Sequence, residues 1–271
     1  MIFQEPSGKM VPRRKGKGGP MGKRVGIVVL GDEVLGGEVR ESNIAHLIPL
    51  LNGWGAEVVL CAILPDDVST VVRHLRRYLE ETDLLILTGG IGPTPDDITR
   101  EAVARVAGVP LVVHPDARAA LERYYGDRIS ESRLLMAQVP QGAELIPNPV
   151  SAAPGFHVAR MAAFPGIPQL LHVMIDWVKP LVSGVRKSRV TLYSGAPESS
   201  YAGIMREAME AFPDVRVGSY PMLEGEYRVR VVFRSDRLSR ASACADLFGR
   251  MLERAGFTVV RRVEEQGETV P

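Results

Sequence analysis

The sequence predicts an α/β fold: a three-layer α/β/α domain on a mostly parallel sheet, followed by a small α+β two-layer domain. Three observations carry this. RVGIVVLG (24–31), EVVLCAIL (57–64) and DLLILT (83–88) are continuous apolar runs, as expected of strands covered on both faces. Each is followed by a loop and then by a helical apolar period, the repeating unit of a parallel sheet with right-handed crossovers. After residue 187 the order changes to βαββαβ, which fits a compact antiparallel layer covered by helices.

The elements follow in order. Residues 1–22 are rich in Gly, Pro and cations and show no apolar period, so a disordered basic arm is expected. After the first strand, Ser42 or Asn43 is placed to cap a helix with Ile44, Leu47, Ile48 and Leu51 on one face. Pro49 should kink that helix, and Gly53 and Gly55 should stop it. Pro65-Asp66-Asp67 leads into a helix with Val68, Val71, Val72, Leu75 and Leu79 inward. Ile98, Val103 and Val106 mark the helix after the third strand. One helical stretch is expected from Asp116 to Gln138, then strands at 143–146 and 156–164, then a helix from Pro168 to Leu181. The domain boundary is expected at SGVRKS (183–188), giving domains 23–185 and 186–271.

Composition narrows the function classes. The 271 residues are 45% hydrophobic and 24% charged, with a formal net charge of +1. Near-neutrality speaks against a dedicated nucleic-acid binder. Cys61 and Cys244 stand far apart, in no metal-ligand spacing, and read as two buried thiols in a reducing compartment. No apolar run approaches the roughly 20 residues that cross a membrane, and the start of the chain lacks a secretory apolar core. A cytoplasmic location is expected.

The chemistry concentrates in LTGGIGPTPDDITR (87–100). In parallel sheets ligands bind beyond the carboxyl ends of the strands, which places the loops at 32–37, 65–67 and 89–97 on one rim. Gly89, Gly90 and Gly92 let the backbone approach a ligand, and their N–H groups can form a concave anion site. Thr94 adds a hydroxyl, and Pro93 and Pro95 stiffen the turn. No Lys follows, so this is not the GxxxxGK[ST] phosphate loop. Asp96 and Asp97 either cap the next helix or serve the site. Two such charges about 4 Å apart repel by about 4 kcal/mol at an effective dielectric of about 20, a conflict that a divalent cation removes. Asp66 and Asp67, and Asp32 and Glu33, face the same choice between local cap or turn and site. Carboxylates from three strand ends beside a glycine turn point to metal-assisted phosphoryl or nucleotidyl chemistry. His114, His157 and His172 are scattered and read as structural.

GDEVLGGEVRESN (31–43), PDD (65–67), TGGIGPTPDDIT (88–99), NPVSAAPGF (148–156) and FPGIP (164–168) together resemble the MoaB/Mog family, and within it the CinA-like N-terminal domain. The resemblance implies a Mog-like fold that binds a pterin or nucleotide phosphate. It implies divalent-metal-dependent (Mg, Mn or Co) pyrophosphatase activity on ADP-ribose, FAD or a similar dinucleotide. The alternatives it leaves are Mog-type adenylylation of molybdopterin and a non-catalytic pterin- or nucleotide-binding module. Carried onto this chain, it gives Asp66 and Asp97 as catalytic and Asp96, Asp97 and Glu33 as metal ligands. Gly89, Gly90, Gly92, Thr94, Asn43, Ser151, Gly155 and Gly166 become the phosphate- or nucleotide-binding set. GDEVLGG, ESN and PGIP depart from the family's usual wording, which bears on substrate rather than fold. The tail resembles the small KH-like middle domain of CinA proteins, and no residues remain for the deamidase domain that full CinA chains carry. A homodimer or homotrimer is implied, with no membrane or nucleic-acid partner.

Overall fold

The computed structural model describes residues 22–222 and 224–270. All but the last residue of the expected basic arm lies outside them. The first unit runs β1 (Arg24–Leu30), α1 (Asp32–Leu35), α2 (Asn43–Gly53), β2 (Glu57–Leu64), α3 (Val68–Glu81), β3 (Leu84–Thr88) and α4 (Thr99–Ala107). It continues through β4 (Leu111–Val113), α5 (Pro115–Tyr125), α6 (Glu131–Leu134), β5 (Gln138–Pro140), β6 (Glu144–Ile146), β7 (Gly155–Val158), β8 (Met161–Phe164), α7 (Pro168–Met174) and α8 (Lys179–Val182). The main sheet has the order β2-β1-β3-β8-β7-β6. Its first four strands are parallel, and β7 and β6 are added as antiparallel hairpins.

Alternation along the strands builds the three layers. Val25 and Ile27 of β1, Leu84 and Ile86 of β3 and Phe164 of β8 face Leu47 and Leu51 of α2 and Leu171 and Met174 of α7. Val28 and Leu30, Leu85 and Leu87, and Met161 and Ala163 face Val71 and Leu75 of α3 and Ala102 and Val103 of α4. The continuous apolar runs therefore do mark strands buried on both faces.

Three local expectations change. The stretch 116–138 is not one helix: α5 stops at Gly126, whose φ is 51°, and α6 follows before the chain extends into β5. That extension pairs with β4 in a two-stranded sheet. Residues 156–164 are not one strand but the hairpin β7–β8, turned by Ala159 (φ 48°) and Arg160 (φ 64°). Neither is a glycine, so the turn has no composition signal. Arg160 anchors it by donating to the Thr82 carbonyl at 2.9 Å. Cys61 is exposed rather than buried, because β2 is an edge strand; only Cys244 is buried.

The second unit is β9 (Ser188–Ser194), α9 (Glu198–Ala211), β10 (Arg216–Pro221), β11 (Val229–Ser235), α10 (Leu238–Arg254) and β12 (Val259–Glu265). Its antiparallel order β10-β11-β9-β12 is that of the split βαβ, or ferredoxin-like, arrangement. Val190, Leu192, Val231 and Phe233 pack against Tyr201 of α9 and Ala241, Phe248 and Leu252 of α10. The units are stitched together. Thr269 bridges to Val185, Val270 packs on the first core, and Glu57 of β2 pairs with Arg216 at 2.5 Å and Lys187 at 3.8 Å. Among the described residues no helix is long and apolar enough to cross a membrane.

Candidate functional site

The carboxyl ends of the parallel strands β2, β1, β3 and β8 share one edge of the sheet. β7 runs the other way, so the β6–β7 loop (147–154) opens on that edge too. The chain leaving β1 crosses to β2 on one side and the chain leaving β3 goes on toward β8 on the other, and such a switch point between β1 and β3 leaves a crevice beyond the strand ends.

Gly89 sits in that crevice with φ 100°, and a Cβ there would lie 2.1 Å from the Leu30 carbonyl oxygen. Gly90 follows with φ 64°, where a Cβ would lie 2.5 Å from Thr99 Oγ1. Gly166 packs so closely that its own Cβ would be 3.2 Å from Gly89 Cα. Three loops thus meet at Gly89, and only glycine permits the approach. Thr99 ties the turn down, its hydroxyl donating to the Gly89 carbonyl at 2.8 Å and its N–H to that of Gly90 at 2.9 Å. Among the described residues the Gly90 and Gly166 N–H groups donate to no protein acceptor.

The DD pair divides its work. Neither acid caps α4, whose N-cap is Ile98 with no side-chain bond. Asp97 instead accepts from the Gly92 N–H at 2.6 Å, the Thr94 N–H at 2.8 Å and the Thr94 hydroxyl at 2.6 Å. Its carboxylate holds the loop's shape, and the Thr94 hydroxyl is engaged there rather than offered outward. A Cβ on Gly92 would lie 2.6 Å from Asp97 Oδ2. Asp96 is exposed, and its charge reaches Asp66.

Asp66 ends the β2 loop and is locked to the β1 loop. Its Oδ2 accepts from the Asp32 N–H at 2.9 Å, and Asp32 Oδ1 faces the Asp66 N–H at 3.4 Å. Partial burial pushes the Asp66 carboxyl above the usual carboxylate range, Asp32, Glu33 and Asp96 push it the same way, and the Asp32 N–H opposes them. Asp67, by contrast, is the N-cap of α3 and is held at about 2 by bonds from the Ser69 hydroxyl and from Thr70. The structure therefore brings Asp66, Asp32, Glu33 and Asp96 into one electrostatic group. Among the described residues no three His, Cys, Asp or Glu side chains are already placed to hold a metal ion.

Asn43 begins α2 but does not cap it; Glu41 takes the Ile44 N–H instead, at 2.9 Å. The Asn43 amide donates to Thr88 Oγ1 at 3.0 Å and to the Gly166 carbonyl at 2.9 Å, joining three elements of the rim. Its Oδ1 is buried and has no partner among the described residues. Ser151 lies in the β6–β7 loop, bonded through its hydroxyl to Asn148 at 2.8 Å, so it shapes that loop. Gly155 is buried beside β8, where a Cβ would meet the Ala163 carbonyl at 2.5 Å; its role is strand packing.

Residues 26–184 match the family described as "Probable molybdopterin binding domain", more than half of the chain. The chain belongs to this MoaB/Mog-like family. Residues 188–260 match "FAD synthase, middle domain". A protein of Aeropyrum pernix is 35% identical over 266 residues, covering 91% of this chain and 96% of its own. A CinA-like protein of Anaeromyxobacter sp. is 34% identical over 269 residues, and the chain spans 66% of its length. The CinA structure from Thermoplasma acidophilum superposes with a TM-score of 0.55 at 30% identity, over 58% of this chain and 98% of that one. The mostly parallel α/β sheet read from the strand pattern, and the MoaB/Mog-like fold implied by the motif resemblance, are the observed ones.

One functional group escaped the sequence reading of this MoaB/Mog-like chain. Arg100, 7% exposed, donates to the Ile91 and Gly92 carbonyls from beneath the loop. Burial lowers its pKa, and Asp97 opposes that shift. The available signal was position: Arg100 falls three residues before Val103, on the apolar face of α4. An Arg on such a face must find acceptors.

Proposed function

We propose that the rim binds the phosphate-bearing part of a nucleotide or pterin, and that the protein hydrolyses the phosphoanhydride bond of a dinucleotide such as ADP-ribose or FAD. One observation carries the reading: the Gly89–Gly90 turn, with the Gly90 N–H unused, lies at the sheet's switch point near Asp66, whose pKa burial and neighbouring carboxylates raise. The FAD synthase match supports the dinucleotide choice.

The fit to a divalent metal (Mg, Mn or Co) rests on charge. Burial raises the Asp66 pKa and the charges of Asp32, Glu33 and Asp96 add to it; such a gathering of carboxylates next to a pocket for phosphate oxygens is a donor set that a hard cation relieves. Asp96 and Glu33 would hold it; Asp97 stays with the loop. When bound, the ion supplies charge neutralisation at the phosphates. The Gly90 and Gly166 N–H groups orient the anion. Asp66, with its raised pKa, takes a proton from the attacking water as the new O–P bond forms. The bridging P–O bond breaks, and its electron pair leaves with the departing phosphate. The same reading includes an assembly of two or three copies.

Incubating the protein with ADP-ribose, FAD, NAD, ATP or molybdopterin, with and without Mg²⁺, Mn²⁺ or Co²⁺, tests it. Release of AMP from ADP-ribose or FAD, abolished by chelator and by Asp66→Asn, is the expected result. Absence of turnover with every dinucleotide and metal overturns it. AMP transfer to molybdopterin would favour adenylyl transfer, a second reading motivated by the molybdopterin-binding family match.

A further inference from the structure

We propose that the groove between α3 and α4 is a second anion site, separate from the rim, which takes a diphosphate group. The groove has a volume of about 650 Å³ and is lined by Ser69, Val72, Arg73, Arg76 and Arg105. Ser69, Val72, Arg73 and Arg76 are spaced i, i+3, i+4 and i+7, so they form one stripe along α3. Arg105 arrives from the neighbouring α4. No carboxylate lines the groove.

The arginines are under-partnered. Arg105 pairs with Glu101 on its own helix. Arg76 makes only a long bond, 3.5 Å, to the Arg105 carbonyl. Arg73 has no hydrogen-bonded or ion-paired partner among the described residues, although its charge reaches Asp67. Elsewhere in the molecule guanidinium groups do find carboxylates: Arg240 with Asp214, Arg262 with Asp246, Arg189 with Glu265 and Arg216 with Glu57. Of the three guanidinium groups only that of Arg105 is paired with a carboxylate, so those of Arg73 and Arg76 face the groove without an ion-paired partner among the described residues.

That arrangement selects the ligand chemistry. Arginine forks bind phosphate oxygens in pairs, which a single chloride or carboxylate cannot satisfy across three guanidinium groups. The stripe from Ser69 to Arg76 rises over about 10 Å of helix, enough for two linked phosphates rather than one. Asp66 and Asp96 on the rim repel an anion that lacks a cation, whereas the groove needs none.

Isothermal titration with inorganic pyrophosphate and with ADP, in the absence of divalent metal, tests the site. Binding of about one pyrophosphate per chain is expected. It should weaken at least tenfold in Arg73→Ser/Arg76→Ser, weaken as salt rises, and remain within about twofold of wild type in Asp66→Asn. Arg73→Lys/Arg76→Lys keeps the charge and loses the fork, so an intermediate affinity is expected. These side chains are exposed, and an unchanged melting temperature confirms that the variants are folded. ADP binding alone, without pyrophosphate, would assign the groove to a nucleotide and overturn the diphosphate reading. So would equal affinity in wild type and the double Ser variant, or loss of binding in Asp66→Asn. The Asp66→Asn arm keeps this result distinct from the fate of the rim.

Discussion

Two adjacent aspartates, Asp66 and Asp67, behave oppositely because of what each carboxylate touches. Asp67 accepts bonds from the start of α3, which hold its pKa at about 2 against an ordinary 3.8. A depressed carboxylate contributes stability above the unfolded value and loses it as pH falls through the folded one. Asp67→Ala is therefore expected to melt lower than wild type at pH 7, with the gap closing between pH 3.8 and about 2, as followed by circular dichroism. Asp66 has a raised pKa, so its sign is reversed: its charge works against the fold as pH rises through that pKa. Asp66→Asn should hold or raise the melting temperature at pH 7 while reducing turnover by about 100-fold or more. A variant that is both less stable and fully active would contradict this account.

At the scale of the element, the loop 89–98 is a self-stapled unit. Asp97 gathers the Gly92 and Thr94 groups from one side, and Arg100 gathers the Ile91 and Gly92 carbonyls from the other. Removing the guanidinium in Arg100→Ala leaves buried acceptors unpaired, with an expected loss of about 1.5–3 kcal/mol in urea unfolding. Gly89→Ala forces a positive φ on a side chain and drives its Cβ into Leu30. The strain alone is expected to be about 1–3 kcal/mol, and ligand binding should fall with it. The loop's sequence signals were legible as turn residues. Which acid faced inward was not, because adjacent aspartates are equivalent in a sequence and differ only in the direction the fold gives them.

Across the whole molecule, the two sheets are joined by more than a linker. Gly184 donates to the Trp54 carbonyl, Val270 donates to that of Gly184, and Arg186 to that of Glu268, so the chain's last described residues return to the first unit. Deleting residues 267–271 should split a single calorimetric transition into two, the earlier belonging to the unit with less buried core. One unchanged transition would mean that the Glu57 ion pairs suffice. The sequence placed all of 186–271 in the second domain; the returning segment makes a long-range pairing with no local pattern to announce it.

The strand–helix alternation, the apolar faces of α3 and α4 and the glycine turn are local consequences of periodicity and of what a missing Cβ permits, and the sequence by itself determined them. It also determined the family, since the motifs are contiguous strings. Tertiary structure alone decided that Asp97 faces its own loop, that Asp66 meets Asp32 and Asp96, that Arg100 is buried beneath the turn, and that Asn43 bridges Thr88 and Gly166. Each of those depends on groups tens of residues apart, or on the facing of one side chain, and electrostatic and hydrogen-bonding free energies are set by distances that only the folded chain defines.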